Sequence, residues 1–320
     1  MSAYRALAAA KVNLGLFVGP ARARDGRHEL VSVMQSISLA DVLELAPAPA
    51  GATADELDCP GIAPAQNLAA QALSRFRERT GWDAPPLRLR IDKRIPIAAG
   101  LAGGSADAAA TLRLAHAASG LGSEELLAEI ARGLGADVPA QLAPGRWLAG
   151  GAGELLTPLR APANALELLL APSEEGLSTA SVFAEADRLG LPRGAHELDD
   201  LRARLHAALA RGQALPAERG LLHNDLQAAA LSLRPQIATS LQAAREARAE
   251  HALLCGSGPT VAALFCGDRA RERADEAASA LAARTPGVIR AHAVGEGHGK
   301  PTRSDAGADR DARLRNNPSS

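Results

Sequence analysis

The sequence predicts an α+β protein of two domains followed by a polar tail, and three observations carry that prediction. Its 320 residues suffice for two units that each bury a core. Segments with strand-type alternation interleave with segments of helical spacing along most of the chain. The character of the chain also changes twice: a new apolar strand opens after Pro162, and from Gly297 onward the chain is polar and aperiodic. The division that follows is 1–162, 163–296 and a tail, 297–320, expected to be disordered.

Taken in order, residues 8–18 alternate as a strand, with Lys11 and Asn13 on one face and Val12 and Leu14 on the other. An edge strand with one wet face would accommodate such a lysine. Residues 28–39 and 41–45 read as two further strands, and 46–64, rich in Pro, Gly and Ala, as an exposed excursion. Asn67 caps a helix that runs to about Arg79 and is ended by Gly81. Residues 87–91 form a strand, and 108–119 a helix closed by Gly120. Ser123 caps the next helix, whose first turn carries Glu124 and Glu125 and which ends near 133–136. Asp137-Val138-Pro139 stands where that helix cannot continue, so a turn or a cap is one reading of Asp137. Residues 145–153 fit strands about a tight turn.

Beyond Pro162, residues 166–171 form a strand and 178–183 start a helix. Short amphipathic segments fill 193–220, and helices follow Asn224-Asp225-Leu226 and Pro235, the second reaching about His251. Strands at 253–255 and 261–265 flank Gly256-Ser257-Gly258-Pro259-Thr260. A helix near 271–284 and a strand at 287–294 complete the second domain.

Composition narrows the function. A formal net charge of −1 favours neither nucleic acid nor an anionic membrane as partner. Three cysteines without zinc-type spacing make neither a disulfide framework nor a metal site, and suit a reducing cytoplasm. No apolar run approaches the ~20 residues that span a bilayer. With aromatic residues at 2%, alanine and leucine must fill the core. Only Lys11, Lys93 and Lys300 are lysines, against 32 arginines among the 35 basic residues. Lys93, beside Arg94 at a strand end, reads as a solvated charge and Lys300 as part of the tail. Lys11, inside an apolar segment, has the one unusual setting.

Between the strand at 87–91 and the following helix lies Pro96-Ile97-Ala98-Ala99-Gly100-Leu101-Ala102-Gly103-Gly104-Ser105-Ala106-Asp107. A glycine-rich strand-to-helix loop lets backbone N–H groups approach a phosphate, and the helix N-terminus adds unpaired donors. A tight turn with Ser105 as an ordinary N-cap is the alternative. The loop fits neither G-x-G-x-x-G nor the P-loop, which argues against dinucleotide and Walker-type sites.

This loop resembles the nucleotide-phosphate loop of the GHMP small-molecule kinases. The resemblance extends over about residues 8–265 through 10–14, 25–30, 135–139, Ser178-Thr179 with Val182-Phe183, Asn224-Asp225-Leu226 and 256–260. It implies a first domain like the second domain of ribosomal protein S5, a ferredoxin-like second domain, and ATP with Mg²⁺. The Lys11/Asn13 strand, Gly26-x-His28 and 135–139 together are similar to the branch whose acceptor is the 2-hydroxyl of 4-diphosphocytidyl-2-C-methyl-D-erythritol, in non-mevalonate isoprenoid synthesis. A homoserine- or mevalonate-type kinase, or a non-catalytic S5-like nucleic-acid module, remains an alternative.

The resemblance implies roles as well. Residues 96–106 would bind the phosphates, and Asp137 would take the hydroxyl proton. Lys11 would pair with Asp137 and offset charge at the transferring group. His28 would read the cytosine edge, Phe183 would stack on the base and Asn13 would fix the erythritol part. Gly256 and Ser257 complete the substrate-binding set, and no protein metal ligand is assigned. Arg27 stands where relatives often carry tyrosine, and Asp107 is an acid beside the expected phosphates. A monomer or weak homodimer is expected.

Overall fold

Two long antiparallel strands, β1 (Ala3–Ala21) and β2 (His28–Pro47), form the spine of the first sheet. The computed structural model of the chain describes residues 2–173 and 175–304. β2 is one strand where the sequence pattern suggested two. The register jumps between the pairs Ala9↔Ala40 and Lys11↔Ser36, so the change of phase is absorbed as an irregularity rather than a break. At that place Ile37 bridges to Ala293 of the second half.

β3 (Glu56–Asp58), inside the expected excursion, lies parallel to β4 (Leu87–Asp92), which pairs with β2. β5 (Arg146–Gly150) and β6 (Leu155–Leu159) extend the sheet beside the first half of β2. β11 (Thr302–Ser304) pairs antiparallel with the start of β1. That corrects the disordered tail over 297–304: those residues return to the first sheet, where β1 offers unpaired backbone groups. The remainder of the expected tail lies outside the described residues. β1 is thus flanked on both sides along its first residues, and Lys11 is 6% exposed, not on a wet edge.

One face of this sheet is covered by α1 (Leu68–Thr80), α2 (Gly103–Ser119), α3 (Glu124–Leu134) and α4 (Val138–Leu142). Asn67 and Ser123 cap α1 and α3 through their side chains, as their residue types predict. Alanines 106, 108, 109, 110 and 115 pack α2 closely against its neighbours, which is how so few aromatics make a core. The second sheet runs β10-β7-β9-β8: β7 (Leu166–Ala171), β8 (His251–Leu254), β9 (Val261–Cys266) and β10 (Ile289–His292), all antiparallel. α5 (Thr179–Arg188), α7 (Leu226–Leu233), α8 (Ile237–Glu246) and α9 (Ala270–Ala282) bury its other face. α8 ends at Glu246, so His251 opens a strand instead of closing that helix. α6 (Ala195–Leu209) packs into the core shared by the two sheets, where Leu205 belongs to the same buried cluster as side chains of β1 and β7. No helix among the described residues is long and apolar enough to cross a membrane.

Lys93 is not a solvated charge. Its ammonium bonds Asp41 and, at 2.7 Å, Asp107, two carboxylates that are buried completely or nearly so. Asp41 also accepts the Arg94 and Ile95 N–H groups at 2.5 and 2.8 Å, which fixes the chain as it leaves β4 toward the glycine loop. Asp107 therefore faces Lys93 and not the expected phosphates. Burial pushes its carboxyl up to about 7; Lys93 opposes that rise and the charge of Asp41 adds to it. A folded-state value above the ordinary carboxylate range means the folded protein binds the extra proton, so this contribution to stability is lost as pH rises toward 7. In Asp107→Asn, urea midpoints measured between about pH 5.5 and 8 should lose that downward slope; an unchanged slope would assign it to other groups.

Candidate active site

The glycine loop is built on backbone contacts. Ala98, Gly100 and Ala102 take positive φ angles of 52°, 78° and 56°, which turns the chain sharply before α2. The Lys11 N–H donates to the Leu101 carbonyl at 3.1 Å, tying the loop to β1. From the other half, the Leu177 N–H donates to the Ala98 carbonyl at 3.4 Å. A Cβ on Gly100 would stand 2.0 Å from the Cys255 carbonyl oxygen, and one on Gly256 would stand 2.8 Å from the Gly100 carbonyl. Only glycine fits at either point. Asn224 secures the turn from behind by donating to the Leu254 and Gly256 carbonyls at 2.8 and 2.7 Å.

α2 begins at Gly103, five residues earlier than the sequence pattern placed it, because Ala102 already has the left-handed conformation of a helix boundary. Ser105 lies inside the first turn and is not the N-cap. The first intrahelical bond runs from the Ala106 N–H to the Ala102 carbonyl at 2.9 Å, so the N–H groups of 103–105 have no helical acceptor. Gly104 adds open space: a Cβ there would meet nothing closer than 4.0 Å. Small residues, free donors and the positive end of a helix macrodipole form an anion cradle. Ala106, assigned to the phosphate loop by sequence, is buried in the core of α2.

A cleft of about 960 Å³ opens over this cradle. Lys11, Asn13, His28, residues 96–105, Asp137, Phe183, Gly256 and Ser257 all line it. Lys11 Nζ donates to Asn13 Oδ1 at 2.7 Å and lies 3.5 Å from Asp137 Oδ2. Asn13 Nδ2 donates in turn to Ser32 Oγ at 2.7 Å, and that hydroxyl donates to the Gly15 carbonyl at 2.8 Å. Asn13 thus orients Lys11 through a relay that the sequence did not announce, since Ser32 sits unremarkably in an alternating strand.

Asp137 occupies the N-cap position of α4, yet its side chain makes no capping bond. Its carboxylate is left for Lys11 and the cleft. α4 is fastened to β1 by Gln141, which donates to the Ala9 carbonyl at 3.1 Å. Arg113 of α2 adds bonds to the Gln141 carbonyl at 2.6 Å and the Leu7 carbonyl at 2.8 Å. Burial lowers the Arg113 guanidinium to about 10. No sequence signal marks Arg113, one arginine among 32.

At the far end of the cleft the His28 ring lies 5.0 Å from that of Phe183, tilted by 33°, and its Nε2 is 2.8 Å from Asp187 Oδ1. Asp187, one helical turn after Phe183 on α5, also lines the cleft and was not singled out from sequence. Arg27 donates to the Ala152 carbonyl at 3.1 Å. Cys255, beneath the loop, is fully buried; burial pushes its thiol up to about 12, against the pull of Lys11.

Comparison with known proteins follows this geometry. The GHMP kinases N terminal domain model matches residues 67–145, and the GHMP kinases C terminal model matches 198–286. A 4-diphosphocytidyl-2-C-methyl-D-erythritol kinase of Nocardia farcinica is 43% identical over 292 residues, covering 90% of this chain and 91% of the relative. One of Streptomyces coelicolor is 42% identical over 297 residues, covering 91% and 96%. A crystal structure of 4-(cytidine 5'-diphospho)-2C-methyl-D-erythritol kinase superposes with a TM-score of 0.71 at 32% identity, over 91% of this chain and 99% of that one. A homoserine kinase from Cytophaga hutchinsonii reaches the same TM-score, 0.71, at 17% identity, over 94% and 97%, and so shares the fold.

The Gly100–Cys255 contact gives a direct test. Gly100→Ala should lose about 2 kcal/mol or more of stability from backbone displacement and an unfavourable φ. Nucleotide binding should fall with it. Thermal melts with and without ATP measure both.

Proposed function

The chain belongs to the GHMP kinase family, and we propose that it transfers the γ-phosphoryl group of ATP to the 2-hydroxyl of 4-diphosphocytidyl-2-C-methyl-D-erythritol. The observation that carries this reading is the Lys11–Asp137 pair, 3.5 Å apart, lining one cleft together with the phosphate cradle and the His28–Phe183 wall. The first unit, 1–162, supplies the pair, the loop and His28; the second, 163–296, supplies Phe183 and the 256–258 turn. All of these groups come from one chain, so a monomer or weak dimer suffices.

The chemistry follows from these positions. The N–H groups of 103–105 hold phosphate oxygens of the donor. As the acceptor oxygen forms its bond to the γ-phosphorus, the bond to the β,γ-bridging oxygen breaks and ADP departs. The acceptor's proton passes to the Asp137 carboxylate. An ammonium has three donors. Lys11 directs one at Asn13 and one toward Asp137, which leaves the third for the charge that develops on the transferring group. Mg²⁺ carried with the nucleotide would supply charge neutralisation on its phosphates. The Ser105 hydroxyl and the Asp137 carboxylate, which both line the cleft, are the oxygen donors that would hold such a hard cation.

His28 and Phe183 suit a cytosine: the imidazole can donate and accept in the plane of a base, and the phenyl ring offers a stacking face. Arg27, where relatives often carry tyrosine, brings a guanidinium that can stack on a base, although the Ala152 carbonyl already engages it. A net charge of −1 gives no support to a nucleic-acid partner.

Purified protein offered ATP and a panel of alcohols tests the acceptor. Turnover of homoserine or mevalonate, with none of the cytidylylated substrate, would overturn the assignment. Asp137→Asn should keep ATP affinity while turnover drops about 10²–10⁴-fold, the range for lost acid–base help. Lys11→Met should fall comparably in kcat; a change confined to the KM for ATP would reduce Lys11 to a phosphate contact.

A further inference from the structure

Behind the catalytic turn, on the opposite side of Asn224 from the cleft, lies a second cavity of about 440 Å³ that the kinase reaction does not use. It is lined by Arg219, His223, Gln227, Arg245, Glu250 and His251, among others. Two guanidinium groups line it against a single carboxylate, Glu250. Neither Arg219 nor Arg245 forms an ion pair among the described residues, although acids stand close by in sequence. Each of those acids is engaged elsewhere: Glu218 by Arg204, Glu246 by Arg284 and Glu250 by Arg273. Asp225 is taken by Arg193 at 2.6 Å and by His223 at 3.1 Å. Two uncompensated guanidinium groups and two imidazoles thus share one concavity. The His251 imidazole registers that field. It is held below its usual value first by burial and then by Arg219, Arg245 and His223, against the pull of the Leu222 carbonyl.

We propose that this cavity is a binding site for the phosphate group of a small phosphorylated molecule, gripped by Arg219 and Arg245 above His251. Guanidinium groups favour phosphate because their forked donors match its oxygens, and the one carboxylate in the wall, Glu250, pairs with Arg273 rather than with them. Gln227 adds an uncharged polar side chain to the same wall. The site is also connected to the catalytic turn. Asn224 lines the cavity, and its amide makes the bonds to the Leu254 and Gly256 carbonyls described above. The preceding His223 carbonyl accepts from the Leu16 N–H of β1 at 2.8 Å. An anion drawn onto this wall therefore bears on the segment that closes over Lys11 and Gly100.

Titration of the full chain with inorganic phosphate, followed by the imidazole resonances of His223 and His251, tests the proposal without recourse to kinase activity. Potassium chloride at matched ionic strength separates specific binding from screening. The expected result is a saturable shift of His251 with phosphate and not with chloride, accompanied by the Gly256 amide. In the double variant Arg219→Ser/Arg245→Ser, which alters exposed side chains only, affinity should fall at least about tenfold. A shift of equal size in chloride, or one unchanged in the double variant, would overturn the site. Phosphate in the cradle at 103–105 would also move Gly256, which lines that cleft; a Gly256 amide that stays still, or whose shift persists in the double variant, would therefore remove the link to the catalytic turn.

Discussion

The structure depends on one backbone contact with no room for a side chain: Gly100 of the phosphate loop against the Cys255 carbonyl and Gly256. The loop is long and takes positive φ at three positions, so local preference alone would not hold it. β1 holds it through the Leu101 carbonyl, and the second half through the Ala98 carbonyl and the 255–258 turn. The phosphate cradle is therefore an interface between the two halves. That accounts for the shared core in which β1, β7 and α6 side chains mix, because the loop's geometry is only as rigid as the packing of those elements.

The two lysines of the first half divide structure from chemistry. Lys93 lies between two buried carboxylates, fully occupied, where it fixes the entry to the loop. Lys11 is more buried than Lys93 but keeps unused capacity: it meets one neutral amide and one carboxylate whose side chain remains 30% exposed to the cleft. A charge whose partners are complete inside the fold is a strut. One with a donor still facing a ligand space can act on a reaction.

The pair of groups assigned to catalysis arrives from separate elements, and its spacing is set by clamps rather than by chain proximity. Arg113 reaches from α2 to both α4 and β1, and Gln141 joins α4 to β1 directly. The donor loop's own helix thereby positions the proposed base. The clamps thus tie the helix of the cradle, Lys11 and Asp137 together, which suits a reaction whose barrier is lowered chiefly by placement and electrostatics.

Much of this was legible in the residues themselves. Caps such as Asn67 and Ser123 and the terminators Gly81 and Gly120 mark helix ends because their preferences are local. The glycine loop, the isolated Lys11 and the Asp137 that ends a helix were visible for the same reason. Other features were not. The continuity of β2, the return of 302–304 to β1 and the pairing of Lys93 with Asp41 depend on partners that lie on other elements, distant in sequence. The Ser32 relay, the Arg113 clamp and the His28–Asp187 contact likewise join residues whose types are ordinary and whose meaning comes from what they face. The sequence by itself determined which groups could bind phosphate and move a proton, since that is a property of residue type and local backbone. Only the tertiary structure decided which charges would be consumed as struts and which would face the cleft, because burial and pairing are set by segments that meet only when the chain is folded.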